Sequence, residues 1–446
     1  MSLRAIVSAC CPNFLKPILG RVIESPLGIR LARGIFWSMA GAVISRGLML
    51  VATIVVARLL GKTGFGELGM IQSTVGMFGV FAGFGLGLTA TKHVAEFRLS
   101  DPARAGRIIG ISSLFATITG GLMAGGLFIF APWLAENTIN APHLAGALKI
   151  GALILFISAL SGAQTGALAG FEAFRTIAYV NLFVGVLSFP ILIGGAYFGG
   201  LTGAVWALAI NLCVNWLLNH LALRQVAASH GVPFSFRQCT KEWPVLWRFS
   251  LPAALSSSMV GPVNWVCAAI LVNQPGGYGE MGIFNAANQW RIAILFIPGM
   301  VGQIVLPMLS SLNNPVDRRQ YIKVLKYNAF LNGGAALIIA SIIATFSYPI
   351  MKFYGPGFEQ GFWVLICLAF TSILMAINSV IGQAIASQGR MWTGFLFNAW
   401  WGIAIIIFAT LLIHKGYGAG GLAAANLIAY FLHTVWQSFY LTKIIK

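Results

Sequence analysis

From residue 34 to the C-terminus the chain is a succession of apolar runs broken by short polar interruptions. A membrane-spanning helix needs about 20 mostly apolar residues. Runs of that kind fall near 34–57, 66–90, 106–131, 146–169, 177–198 and 200–223, and six more near 249–273, 281–311, 327–351, 361–385, 392–413 and 418–441. The pattern predicts an all-α integral membrane protein with about twelve transmembrane helices.

The pattern also repeats. Gly64-Phe65-Gly66-Glu67-Leu68-Gly69 precedes the second run, and Gly277-Tyr278-Gly279-Glu280-Met281-Gly282 precedes the eighth, 213 residues later. Arg175 and Asn181 match Arg390 and Asn398 loosely at offsets of 215 and 217. Six helices per half is an even number, so the two six-helix bundles run parallel, related by a pseudo-two-fold axis along the membrane normal. The expected division is a basic cytoplasmic or interfacial segment at 1–33, an N-terminal bundle at 34–224, a cytoplasmic linker at 225–248 and a C-terminal bundle at 249–446. A cavity between the bundles is the expected place for a substrate.

Composition agrees: 58% of residues are hydrophobic and 9% charged, against about 45–50% and 25% in soluble domains. The net charge of +18, from 28 Lys and Arg against 10 Asp and Glu, would suggest nucleic acid in a soluble protein. Here its location decides otherwise. On the predicted topology 21 basic residues fall in the N-terminal segment and the loops of one side, five on the other, and two within helices. The positive-inside rule makes the richer side cytoplasmic and puts both termini there. The charge is thus a topology signal, and no nucleic-acid partner is expected. The N-terminal segment lacks the ordered regions of a removable signal peptide. Cys10, Cys11, Cys213, Cys239, Cys267 and Cys367 have neither metal-site nor disulfide-framework spacing.

Arg46 and Arg291 stand inside the first and eighth runs, about 18 Å from a helix end at 1.5 Å per residue. Intramembrane charges mark polar pathways by default, and two arginines facing each other across the bundles would bind an anion bidentately. All ten acids fall in loops or at helix ends, which argues for an anionic substrate and against a carboxylate-based proton or drug-cation carrier. Lys92, Arg98, Arg104 and Arg107 flank the inner mouth and Arg248 begins the seventh run. They meet anionic lipid headgroups, and Lys92 and Arg248 are further substrate-binding candidates.

Glu67 and Glu280 complement the dipoles of their helix starts or pair with Arg58 in an outer gate. Gly79, Gly83 and Gly87 form a small-residue packing stripe. Pro262 and Pro298 interrupt their runs, and Pro262 is the hinge candidate. His220 and His433 are expected to be structural. No GxxxxGK[ST] phosphate loop occurs, and neither a cofactor nor a metal is expected.

The run Gly34-Ile35-Phe36-Trp37-Ser38 through Ala57-Arg58-Leu59-Leu60-Gly61 and Gly64-Phe65-Gly66-Glu67-Leu68 resembles the opening of the polysaccharide biosynthesis (oligosaccharide flippase) family. That family belongs to the multidrug/oligosaccharidyl-lipid/polysaccharide exporter superfamily. The resemblance implies a V-shaped pair of lobes in the bacterial inner membrane that turns over an undecaprenyl-pyrophosphate-linked sugar repeat unit by alternating access. It implies a cationic cavity, mapped by position onto Arg46 and Arg291, and a polysaccharide polymerase and export machinery as partners. A lipid II-type flippase and a multidrug/cation antiporter of the same superfamily are the alternatives. A membrane polymerase or glycosyltransferase is the reading from a different class. The longest external loop, near 132–145, is short for such an enzyme, and its only acid is Glu136.

Overall fold

The computed structural model describes residues 26–233, 238–246, 250, 258–299, 301, 305, 309, 318–388 and 391–445. Every regular element among them is helical. In chain order these are α1 (Pro26–Gly83), α2 (Leu86–Phe97), α3 (Pro102–Asn137), α4 (Ala145–Gly170), α5 (Phe174–Ser229) and α6 (Val260–Val272). There follow α7 (Gly277–Ile294), α8 (Arg318–Thr345), α9 (Ser347–Phe353), α10 (Phe362–Ser387), α11 (Met391–Leu412) and α12 (Gly418–Ile445). A single helical turn, Trp243–Val245, stands in the linker between the halves.

Seven stretches among the described residues are long and apolar enough to cross a membrane, and three of these run 51 to 56 residues. One crossing takes about 20 residues, so each of the three is long enough for two. Only 17% of the most apolar window of the first stretch is buried within the protein. Large exposed rings such as Phe198, Trp392 and Trp436 in the other stretches likewise call for lipid around the protein. The chain is a multi-pass membrane protein.

The long stretches reverse where glycine permits it. The α1 backbone breaks at Gly61 (φ 69°), between the first two predicted runs. Gly200 (φ 54°, ψ −137°) divides α5, and Gly418 opens α12 with nearly the same pair of angles (φ 50°, ψ −131°). That conformation is essentially closed to residues with a Cβ. Its recurrence 218 residues apart is the backbone counterpart of the sequence repeat.

Two breaks were not expected. The predicted run 66–90 is interrupted at Phe84 (φ 42°) and Gly85 (φ 65°). The left-handed Phe84 costs about 1–2 kcal/mol, offset by packing of its ring against Phe115, 5.2 Å between centroids. The predicted run 281–311 is interrupted at Leu295. With the 213-residue offset, the two breaks fall at almost equivalent depths. Apolar periodicity carries no signal for either, because the residues on both sides are apolar.

The two lobes meet along α1–α2 and α6–α7. Thr89 Oγ1 and Ser250 Oγ share a hydrogen bond at 2.6 Å, Trp265 Nε1 donates to Thr74 Oγ1 at 3.0 Å, and Gly66 lies against the Tyr278 backbone. Residue numbers fall on one side as they rise on the other, so the facing segments run antiparallel. The Gly66–Tyr278 end carries the loops expected outside, and it is called the outer end below.

Candidate functional site

Arg291 projects from α7 into its own lobe. Its Nη1 donates to Asn426 Oδ1 of α12 at 3.5 Å, longer than the 2.7–2.9 Å of a strong charge-assisted bond. Asn426 is its one hydrogen-bond partner among the described residues. Asn426, Tyr430, His433 and Gln437 follow at spacings of four, three and four, so they share one face of α12. His433 Nε2 lies 2.9 Å from Gln437 Nε2, and the Tyr430 ring lies tilted against Trp401, 5.2 Å between centroids. Asn288 Oδ1, one turn from Arg291, is buried without a partner, as are Trp401 Nε1, His433 Nδ1 and Gln437 Oε1. Buried polar atoms are normally satisfied, so this face is suited to polar ligands or water. Arg291 stands out in the sequence by its depth, whereas Asn426 and Gln437 do not. The 426–430–433–437 spacing was the available signal.

Arg46 is exposed, and its guanidinium lies over the Phe296 ring, 4.4 Å from Cζ to centroid. Phe296 is five residues beyond Arg291, just past the break at Leu295. Arg46 thus meets the chain a little beyond Arg291. No described contact joins them through a common residue. Neither has a carboxylate partner among the described residues.

At the inner end the cations are largely engaged. Glu242 in the linker is 6% exposed and accepts from Arg104 Nε at 3.1 Å and from Arg107 Nη2 at 3.2 Å. The Arg104 guanidinium also covers the Phe97 ring, and Arg98 pairs with Glu172 at 2.6 Å. Asp101 caps α3 by accepting from the Arg104 backbone N–H at 2.9 Å. Lys92 is exposed on α2, and Arg248 lies outside the described residues. Glu242 was read from sequence only as a loop acid, because nothing local betrays a partner about 138 residues away.

At the outer end the repeated Gly-aromatic-Gly turns face each other. A Cβ on Gly66 would enter the Tyr278 backbone, and one on Gly282 would enter that of Lys62. Phe65, Tyr354 and Phe358, all under 5% exposed, form an aromatic plug across the lobes, with centroids 5.8 to 6.4 Å apart. Tyr278 Oη donates to the Ile139 carbonyl at 2.8 Å and Asn273 Nδ2 to the Thr138 carbonyl at 2.8 Å.

Neither candidate gate carboxylate pairs with Arg58 among the described contacts. Arg58 Nε donates to the Phe353 carbonyl, Glu67 Oε1 meets His143 Nε2 at 2.8 Å, and Glu280 Oε2 accepts from the Ala419 backbone N–H at 2.7 Å. Glu280 thus stands in the first turn of α7 and also caps the next-but-distant start of α12.

Pro262 is the third residue of α6, just after a turn at Ser258–Met259. Its missing N–H falls where a helix has no internal acceptor to lose. The break at Phe84–Gly85 opens instead onto a groove of about 340 Å³ that Gly79, Gly83 and Gly162 help to line. The glycine stripe read as packing does pack at Gly87, against Gly162 and Gly166, and Gly79, Gly83 and Gly87 all border this groove.

Comparison with known proteins extends along nearly the whole chain. It is 26% identical over 409 residues to the EPS I polysaccharide export inner membrane protein EpsE of Ralstonia nicotianae, covering 90% of this chain and 91% of that one. It is 23% identical over 423 residues to the lipid III flippase of Escherichia coli, covering 90% and 96%. Among solved structures, an inward-facing multidrug resistance MATE family transporter of the MOP superfamily superimposes with a TM-score of 0.70 at 15% identity, covering 91% and 98%. An outward-facing form gives 0.69 at 14% identity, covering 92% and 95%. These likenesses establish the two-lobed helical transporter fold, and the superposition does not discriminate between the two states. The sequence model described as polysaccharide biosynthesis protein matches residues 31–313, more than half the chain, and the chain therefore belongs to that family.

Proposed function

We propose that the protein is a flippase that moves an undecaprenyl-pyrophosphate-linked oligosaccharide from the cytoplasmic to the outer leaflet of a bacterial inner membrane. About twelve helices in lobes near 34–224 and 249–446 alternate access, with both termini cytoplasmic. The observation that carries this reading is the pair Arg46 and Arg291, deep in the apolar runs and without a carboxylate partner among the described residues. An unpaired cation at that depth is costly, and a pyrophosphate passing between the lobes would accept from both guanidinium forks once Arg291 swings away from Asn426 of its own lobe toward Arg46. Lys92 and Arg248 attract the headgroup at the inner mouth, and the isoprenoid tail stays in lipid. The name of the Ralstonia relative supports polysaccharide export, and that of the E. coli relative supports lipid-linked glycan flipping. The test is translocation of a fluorescent polyprenyl-pyrophosphate oligosaccharide in proteoliposomes. Arg291→Ala and Arg46→Ala should each abolish it with the protein still inserted, and Arg291→Lys should restore it only in part. Wild-type rates in the double Ala variant would overturn the proposal.

A further inference from the structure

The outer seal and the anion site share a helix. Trp290 and Arg291 are neighbours on α7, and the Trp290 indole Nε1 donates to Tyr354 Oη at 3.1 Å. Tyr354 is fully buried at the centre of the aromatic plug. Its ring touches Phe65 of the opposite lobe and Phe358 of its own. Immediately before it, the Phe353 carbonyl is held by Arg58 of the opposite lobe. Burial pushes the Tyr354 phenol above its ordinary value, partly countered by the Trp290 bond, so the hydroxyl stays protonated and serves as a neutral partner.

We infer that Tyr354 is a positioning residue through which occupancy of the Arg291 site reaches the outer seal. The inference rests on the anion-site reading above. An anion on Arg291 draws the guanidinium away from its long contact with Asn426 and turns the adjoining stretch of α7. One residue earlier, the indole N–H shifts relative to Tyr354 Oη, and the plug loses the one side-chain hydrogen bond that ties it to this helix among the described residues. The lobes are then free to part at the outer end. By linkage, the anion must bind the outer-open state more tightly by the same factor with which it opens the seal.

The reporter is a cysteine at position 285, in protein whose six native cysteines have been replaced. Asn285 presses on Gly69 across the seal, and its amide nitrogen is buried. The rate of labelling by an impermeant maleimide from the outer side is measured with and without farnesyl pyrophosphate, whose binding is measured separately by isothermal titration. In this reporter protein with Tyr354 and Trp290 intact, the anion should raise the rate about fivefold or more. Tyr354→Phe keeps the ring and removes the hydrogen bond. It should label fast with or without the anion, while still binding it.

A purely structural role for Tyr354 would leave the anion dependence intact. If Tyr354→Phe keeps the full anion response, the inference is overturned. If the wild-type reporter binds the anion but shows no change in labelling, it is overturned as well. If the wild-type protein binds no pyrophosphate at all, the anion-site reading fails first, and this result is distinct from either of the others. Should Tyr354→Phe misfold, Trp290→Phe breaks the same bond from the other side and must give the same anion-independent labelling.

Discussion

Replacing Gly66 with alanine should hold the outer end of the protein open. The added Cβ would lie 2.8 Å from the backbone nitrogen of Gly282 and still closer to the Tyr278 carbonyl. Both obstacles are main chain, so no rotamer change relieves them. Overpacking of this kind costs about 1–3 kcal/mol. The clash exists only while the lobes touch, so the cost falls on the closed state alone. That shifts the closed-to-open ratio by about 5- to 150-fold. The cysteine reporter at 285 reads the shift as faster labelling from outside. Gly282→Ala, whose Cβ would enter the Lys62 backbone, should act alike. Gly146→Ala, where an added Cβ meets nothing within 4 Å, should leave labelling unchanged. Folded Gly66→Ala and Gly282→Ala proteins that label no faster than wild type would refute the reasoning.

Other substitutions probe the remaining features. Gly200→Ala should cost about 1–3 kcal/mol through backbone strain alone, since its Cβ would meet nothing within 4 Å. Gly418→Ala should cost more, because its Cβ would also displace the Glu280 carboxylate that caps α12; equal losses in thermal stability would contradict this. Glu242→Gln should destabilise the folded protein by about 1–3 kcal/mol, below the range for a fully buried pair because Arg104 and Arg107 are 39% and 25% exposed. A double-mutant cycle with Arg104→Gln should show non-additivity, and strictly additive unfolding energies would refute the clamp. Pro262→Ala should leave transport near wild type if the proline merely starts α6, and a several-fold slower rate would return it to the hinge.

Much of the fold was legible because lipid imposes it. The predicted runs match the described helices to within a few residues at 146–169, 392–413 and 418–441, which appear as Ala145–Gly170, Met391–Leu412 and Gly418–Ile445. Positions where the requirement for an apolar surface says nothing were not legible. The breaks at Phe84–Gly85 and Leu295 are invisible to hydropathy. The Glu242 clamp and the Trp290–Tyr354 bond join residues 138 and 64 positions apart, and a single sequence carries no record of such pairs. Arg291 was legible by its depth, but its partner Asn426 was hidden among other polar residues that a helix interior tolerates.

The repeat motif carries more than its local sequence shows. Each Gly-aromatic-Gly-Glu turn was read as the start of its own helix, with the carboxylate set against the helix dipole. The structure gives the glycines a second role: each copy is the other's packing partner. Gly66 meets Gly282, and Gly282 is the repeat equivalent of Gly69, which lies under Asn285 beside the same contact. A motif that contacts its own repeat lies near the pseudo-two-fold axis, as in an isologous interface. Any side chain at these glycines would act on both lobes at once. The carboxylates, by contrast, have diverged: Glu67 meets a loop histidine and Glu280 caps a distant helix. Close approach on the axis constrains both copies to the same residue, whereas a position off the axis has no partner copy to match. The lobes therefore keep their symmetry where they touch and lose it where chemistry is local, as with Arg46 and Arg291, whose repeat equivalents are not arginines.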